Sequence, residues 1–500
     1  MDIIRLITRA RLGIEAPEVC VEVHISNGLP AFTVVGLPET AVREARDRVR
    51  SAILNSGFEF PSRRITVNLA PADLPKTGGR FDLPIALAIL AASAQIDASR
   101  LDGVACFGEL ALSGDCRRID GLLPSLIACK QASQAVIVPA ENCGEASLLR
   151  NCDIRLATTL AQICAFLNGG DPLPTVTPAR IRQPRFCGKN MSDVRGQHQA
   201  RRALEIAAAG GHHLLMMGPP GTGKSMLAER LITILPPLDE DEALGTASIR
   251  SICHLPVNSA NWLARPFQSP HHTVSAAALA GGGRIPTPGE VSLAHNGVLF
   301  LDELTEFDRR SIEVLREPLE SGRIHVSRAS GKAEFPARFQ LVAAMNPCPG
   351  ACESIAECDC SAEQLQRYRY KLSAPLLDRI DIQIELARLE HRVLTDREQV
   401  GESSTVLRER VEAALGRQLR RQGCLNAHLE PETLKRVSRL DESSTAYLLR
   451  AIEKLSLSAR SYDKILKLAR SIADLEDSDQ IGNRHLGEAI AYRRENRRRS

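Results

Sequence analysis

No apolar run in this chain approaches the about 18 residues that a membrane-spanning helix needs, so no membrane association is expected. Net charge is nearly absent too: 63 Lys and Arg against 60 Asp and Glu leave +3. That is too little to argue for or against a polyanionic partner, and any basic surface must be local. The opening residues, Met1-Asp-Ile-Ile-Arg5, include an acid and lack the apolar core and small-residue cleavage site of a secretory signal. A cytoplasmic protein is therefore expected. Most of the 14 cysteines are scattered through apolar stretches, as at Cys20, Cys106, Cys129 and Cys164. In a reducing compartment these read as small buried hydrophobes rather than disulfides. What is present, 44% hydrophobic and 25% charged residues over 500 positions, is an ordinary soluble composition. It leaves room for about three domains of about 150 residues.

The most informative stretch is Gly218-Pro219-Pro220-Gly221-Thr222-Gly223-Lys224-Ser225, between an apolar run (Leu214 to Met217) and a helical pattern from Met226. Strand, glycine loop and helix are the context in which this spacing binds nucleotide phosphates. The glycines let successive N–H groups point at an anion, and the helix N-terminus adds partial positive charge. Lys224 would reach the terminal phosphates and Ser225 would hold Mg²⁺. ATP and Mg²⁺ are the cofactors this implies.

A second apolar strand, Gly297–Leu301, ends in Asp302-Glu303. Two acids at the edge of a buried sheet suit a Mg²⁺ ligand, Asp302, and a base for the attacking water, Glu303. A third, Gln340–Ala344, delivers Asn346. The pattern resembles AAA+ ATPases, which implies that Asn346 senses the γ-phosphate; the competing reading is a turn asparagine before Pro347.

Residues 1–167 alternate short strands (Val21–Ile25, Ala31–Val35, Arg64–Asn68) with helical patterns at Ala41–Leu54 and Phe81–Ala92, an α+β mixture. Leu74–Pro84 and Gly108–Asp115 resemble the protease domain of Lon, which uses a Ser–Lys dyad. Here no serine lies between Pro75 and Pro84. Ser125 stands where a lysine would be supplied, and Lys130 has no nucleophile to activate. A non-proteolytic relative is expected. Residues 168–190, rich in Gly and Pro, read as a linker of extended chain.

The motor is expected over 191–395. Lys224 and Asp302 are 78 residues apart, more than two strand–helix units need, so an insert is expected within Arg250–Gly289, around Pro270-His271-His272 and Ala280–Arg284. After a helix at Arg309–Glu320, Arg323–Phe335 reads as a hairpin with Arg328 and Lys332 near its Ser330-Gly331 turn. These elements resemble the helix-2 insert and pre-sensor hairpin of the AAA+ branch of magnesium chelatase, MoxR proteins and MCM helicases. The resemblance implies that both grip nucleic acid in a ring pore; a solvated hairpin is the plainer alternative. Leu376-Leu-Asp-Arg-Ile-Asp381 resembles that branch's arginine-finger segment, which implies Arg379 as a finger reaching a neighbour's nucleotide and a ring with heterologous contacts.

Cys348, Cys352, Cys358 and Cys360 fall within thirteen residues just after Asn346. Four thiolates can make a tetrahedral zinc site, although the spacing is not a pair of CxxC knuckles; free thiols in a cysteine-rich loop are the other reading. Residues 396–500 read as a helical bundle: Arg408–Gln422, Glu432–Arg439, Ser443–Leu455 and Tyr462–Ile472. Arg460 resembles the sensor-2 arginine of AAA+ lids, against a solvated helix-start arginine. The tail Tyr492–Arg499 carries five arginines, suited to a phosphate backbone or simply disordered.

The expected fold is thus α/β: an AAA+ P-loop motor with a helical lid, preceded by an α+β Lon-protease-like domain. In this domain order the chain resembles the bacterial ComM (YifB) family of magnesium-chelatase-like AAA+ proteins. The resemblance implies a hexameric, ATP-driven DNA helicase. It would migrate branched junctions as incoming single strands integrate during natural transformation, with single-stranded and branched DNA as partners. The rival classes are a chelatase- or MoxR-like remodeller of a protein partner and an ATP-dependent protease.

Overall fold

A computed structural model describes residues 3–36, 40–180, 188–257, 262–283, 286–328, 331–352, 358–388, 401–455 and 457–493. Two sheets organise it. The N-terminal sheet runs, edge to edge, Ala31–Val35, Arg64–Ala70, Glu18–Ser26, Ile4–Arg9, Val104–Cys106, Ala135–Pro139 and Ile154–Ala157. Ile4–Arg9, Glu18–Ser26 and Arg64–Ala70 pair antiparallel, and the remaining neighbours pair parallel. Helices Thr40–Asn55 and Asp82–Ala92 accompany this sheet. The second is buried from Asp82 to Ala91, as a helix apolar on every side must be.

The proposed linker is more ordered than its composition suggests. Leu156 donates its N–H to Pro174 O and Val176 to Ile154 O, so residues 174–176 run along the sheet's last strand. Leu173 joins the N-terminal core. Prolines lack a donor but still offer a carbonyl, which is what an open sheet edge can use. Residues 181–187 lie outside the described residues.

The motor sheet is wholly parallel, in the order Phe267–Gln268, Val298–Leu301, Gln340–Met345, Leu214–Met217 and Ile382–Glu385. Its three central strands are buried at every position, the pattern of a sheet covered on both faces. Leu214, Met216, Phe300 and Val342 face helices His198–Gly210 and Lys224–Ile234 and the C-terminal helices. Leu215, Met217, Leu301 and Ala343 face the opposite way, with Ile324, Val326 and Phe335 of the hairpin.

The extra element falls within the expected Arg250–Gly289: Phe267–Gln268 is a strand of the central sheet, and the element follows it as the helix Ala276–Ala280 and the paired segments Gly281–Gly282 and Thr287–Pro288. A two-residue strand has too little periodicity to be seen in sequence. The helix at Arg309–Glu320 is two pieces, Arg309–Glu313 and Arg316–Ser321, with Pro318 in the second. The hairpin pairs Arg328 with Gly331, and Ser330 of the expected turn lies outside the described residues.

The C-terminal helices are Ser404–Gln422, Pro431–Val437, Glu442–Leu455, Ala459–Leu475 and an unforeseen Asn483–Ala491. Leu407, Val411, Leu468 and Ile472 share one core with the motor sheet. Arg493, taken with the basic tail, is instead buried and donates to the carbonyls of Ile380 and Asp381. Residues 494–500 lie outside the described residues. Among the described residues no helix is long and apolar enough to cross a membrane.

Candidate functional site

Parallel strands in one register end at one edge, and the chemistry collects there. Met217 pairs with Met345 and Leu301 with Ala343, so Gly218, Asp302 and Asn346 leave neighbouring strands side by side. Gly218 must be glycine: a Cβ there would stand 2.6 Å from the Leu386 carbonyl oxygen. Gly221 and Gly223 take φ of +81° and +89°, backbone that side chains disfavour. Thr222 Oγ1 donates to Pro219 O at 3.0 Å and ties the loop across itself.

Lys224 opens the helix Lys224–Ile234. Its Nζ donates to Gly218 O (2.6 Å), Pro219 O (3.0 Å) and Asn346 Oδ1 (3.3 Å). Burial pushes the ammonium's pKa below its usual value, while the charges of Asp302 and Glu303 pull it back up. Ser225 Oγ donates to Asp302 Oδ2 at 2.6 Å. Two hard oxygens this close are a donor set suited to Mg²⁺, which binds through one or two protein oxygens and keeps waters. Glu303 sits in the left-handed region at φ +51°, with its N–H on Asp302 Oδ1.

His272, expected only as part of the insert, places its Nδ1 3.2 Å from Glu303 Oε2. His271 packs on its ring at a centroid separation of 4.1 Å, and Phe307 meets it edge-on. The histidine lies four residues past the Phe267–Gln268 strand, the strand that sequence could not show.

Arg379 and Arg460 are not at this edge: among the described residues no hydrogen bond or ion pair joins either to Gly218–Ser225. Arg379 closes the short helix Ala374–Arg379, bonds Pro375 O at 2.6 Å and is paired with Glu320. Arg460, 77% exposed, reaches Asp378 at 3.5 Å. Arg460 thus reaches the segment that carries Arg379 through its neighbour Asp378. The last acid of that segment, Asp381, is an anchor: Lys464 Nζ of the helix Ala459–Leu475 meets it at 2.8 Å and His213 N–H at 3.1 Å. Burial opposes its charge, but Lys464 and His212 hold its pKa well below the carboxylate range.

The hairpin and insert touch. Arg328 Nη2 donates to Gly281 O at 3.5 Å, a long contact between the two elements, and both Arg328 and Lys332 are exposed. Lower down, His325 pairs with Glu334 and Glu317, and Arg323 with Glu334, so the hairpin is not uniformly basic. The four cysteines come together: the sulfurs of Cys348, Cys352, Cys358 and Cys360 all lie within 4.8 Å of one another. In the N-terminal domain, the stretch without a serine instead presents buried Arg80, whose Nη1 donates to Ser125 Oγ at 3.3 Å and whose Nη2 donates to Asp120 O at 2.8 Å. Burial lowers the Arg80 pKa to about 10.

Comparison with known proteins agrees with this architecture along the chain. Residues 190–394 match the family described as magnesium chelatase, subunit ChlI. Residues 21–142 match subunit ChlI of Mg-chelatase, and residues 401–493 match the ChlI C-terminal family. The chain is 50% identical over 486 residues to the uncharacterized protein YifB of Salmonella typhimurium, covering 97% of this chain and 96% of that one. It is 49% identical over 497 residues to the competence protein ComM of Haemophilus influenzae, covering 99% and 98%. The chloroplastic magnesium-chelatase subunit ChlI of Chlamydomonas reinhardtii is 27% identical over 254 residues, 45% of this chain and 60% of that one.

Proposed function

We propose that this chain, which belongs to the ComM/YifB family of magnesium-chelatase-like AAA+ proteins, is a cytoplasmic ATP-driven DNA motor. Its work would be to migrate branched junctions while single-stranded DNA integrates in natural transformation, in line with the name of its Haemophilus relative. The observation that carries the reading is one sheet edge holding Lys224, Ser225, Asp302, Glu303 and Asn346, with insert and hairpin built as a joined pair beside it.

The chemistry follows from those positions. Loop N–H groups of Gly218–Gly223 and the Lys224 ammonium take the phosphates of ATP. Ser225 and Asp302 are the residues that would hold Mg²⁺, whose charge neutralises the phosphates when bound. Glu303 orients and deprotonates the attacking water, and Asn346 fixes the γ-phosphate end. Arg379 and Arg460, away from their own loop, suit delivery to a neighbouring subunit's nucleotide, which asks for a ring; a hexamer is the expected form. Domain bounds at 1–167, 168–190, 191–395 and 396–500 belong to the same reading. The N-terminal domain is read as non-proteolytic, supported by the Arg80–Ser125 contact where a dyad would act.

Arg328 and Lys332 are the hairpin's candidates for a phosphate contact. In the double variant Arg328→Ala, Lys332→Ala, basal ATPase stays, while stimulation by DNA and displacement of a labelled strand are lost. Intact stimulation and displacement would defeat the assignment. Stimulation by protein partners instead of DNA would support the remodeller.

A further inference from the structure

We propose that Cys348, Cys352, Cys358 and Cys360 hold one zinc ion, which clips shut the loop leaving Asn346. A tetrahedral zinc with zinc–sulfur bonds of about 2.3 Å separates its sulfurs by about 3.8 Å. All the sulfur pairs here lie within 4.8 Å, close to that figure, and the four cysteines are free of disulfides. An iron–sulfur cluster would interpose several atoms and hold the thiolates further apart. Four soft donors with no carboxylate among them select zinc over Mg²⁺ or Ca²⁺.

The backbone is shaped around the sulfurs. Ala351 takes φ +52° and donates its N–H to Cys348 O, turning the chain tightly after Cys348. The turn points the Cys352 N–H at Cys348 Sγ, 3.2 Å away. An N–H aimed at a thiolate is the outer-shell support that orients metal ligands. Gly350 is pressed against the group: a Cβ there would stand 2.8 Å from Cys360 Sγ and 3.4 Å from Cys352 Sγ. As the metal binds, each thiol becomes a thiolate and its proton leaves to solvent.

The loop matters because of what it joins. Among the described residues no helix or strand lies between Met345 and Ala362. At its start is Asn346. At its end the helix Ala362–Tyr370 brings Tyr368, whose hydroxyl donates to Asn346 O at 2.9 Å and accepts from Thr305 Oγ1 at 2.9 Å. Four bonds to one ion tie the loop's two ends together and keep Tyr368 on the Asn346 backbone. The metal assignment stands by itself; its link to hydrolysis rests on the ATPase reading of Asn346.

The test uses the full chain purified under reducing conditions. Metal analysis should find about one zinc per chain, with Cys352→Ser and Cys358→Ser losing it and Cys20→Ser retaining it. Cobalt exchange should give the near-ultraviolet charge-transfer band and visible bands of tetrahedral thiolate coordination, a readout that needs no folded variant. Four thiols freely reactive with a disulfide reagent under excess Zn²⁺ would overturn the site, and one iron per chain would overturn the choice of metal. For the clip, stripping zinc should lower kcat for ATP while binding of a fluorescent ATP analogue persists; an unchanged kcat would overturn it. A chain with zinc but no ATPase at all would count against the motor reading, not against the metal.

Discussion

Replacing His272 with alanine should raise basal ATP hydrolysis. The imidazole holds Glu303 at 3.2 Å, and a carboxylate engaged by a neighbour must leave that contact before it can orient water. The two side chains are 32% and 56% exposed, so solvent weakens the pair. An exposed ion pair, which this contact is when the imidazole carries its proton, is worth about 0.2–1 kcal/mol. Converted through RT, its loss speeds the basal step roughly 1.4- to 5-fold. His272 follows the strand from which the insert departs, so DNA seated on the insert would act on Glu303 through the same residue. The variant should therefore also lose much of its further stimulation by DNA. Steady-state ATPase with and without forked DNA reads both effects, and His272→Asn, which can still donate to the carboxylate, should restore part of the coupling. Basal activity unchanged or lowered, with full DNA stimulation, would refute the argument.

A neighbour-supplied Arg379 makes a mixing prediction: Arg379→Ala and Glu303→Gln are each inactive alone, and mixed rings recover part of the wild-type ATPase. No recovery would put the finger in its own subunit. Phe335→Ala, which empties a fully buried position on the hairpin's second strand, should cost about 3–5 kcal/mol in urea unfolding, whereas exposed Lys332→Ala should cost almost nothing. Burial lowers the His295 pKa from 6.5 to about 4, and its neutral Nδ1 accepts the Arg338 N–H. Between those values the unfolded chain binds more protons, so this stability is complete above pH 6.5 and falls as pH drops toward 4, by about 2 kcal/mol at pH 5. His295→Asn should flatten the fall between pH 7.5 and 5, and an unaltered slope would contradict it.

What sequence made legible here was local and periodic. Gly218–Ser225, Asp302-Glu303 and Asn346 each follow a run of buried apolar residues, and a parallel sheet in register brings them to one edge without any further information. The Phe267–Gln268 strand was hidden because two residues show no period, and with it the place of His272 beside Glu303. Arg493 looked like part of a basic tail because composition cannot tell a buried guanidinium capping carbonyls from a solvated one. The Pro-rich segment was read as extended chain, and its carbonyls on the sheet edge, which no propensity scale registers, are what seat it there.

The central claim is an ATPase whose turnover is driven by DNA. The direct measurement is the ATP hydrolysis rate with and without single-stranded and forked DNA, alongside Glu303→Gln. Strong stimulation that the variant abolishes is the predicted result. Robust hydrolysis indifferent to DNA would contradict it and turn the hairpin and insert into elements that grip a protein.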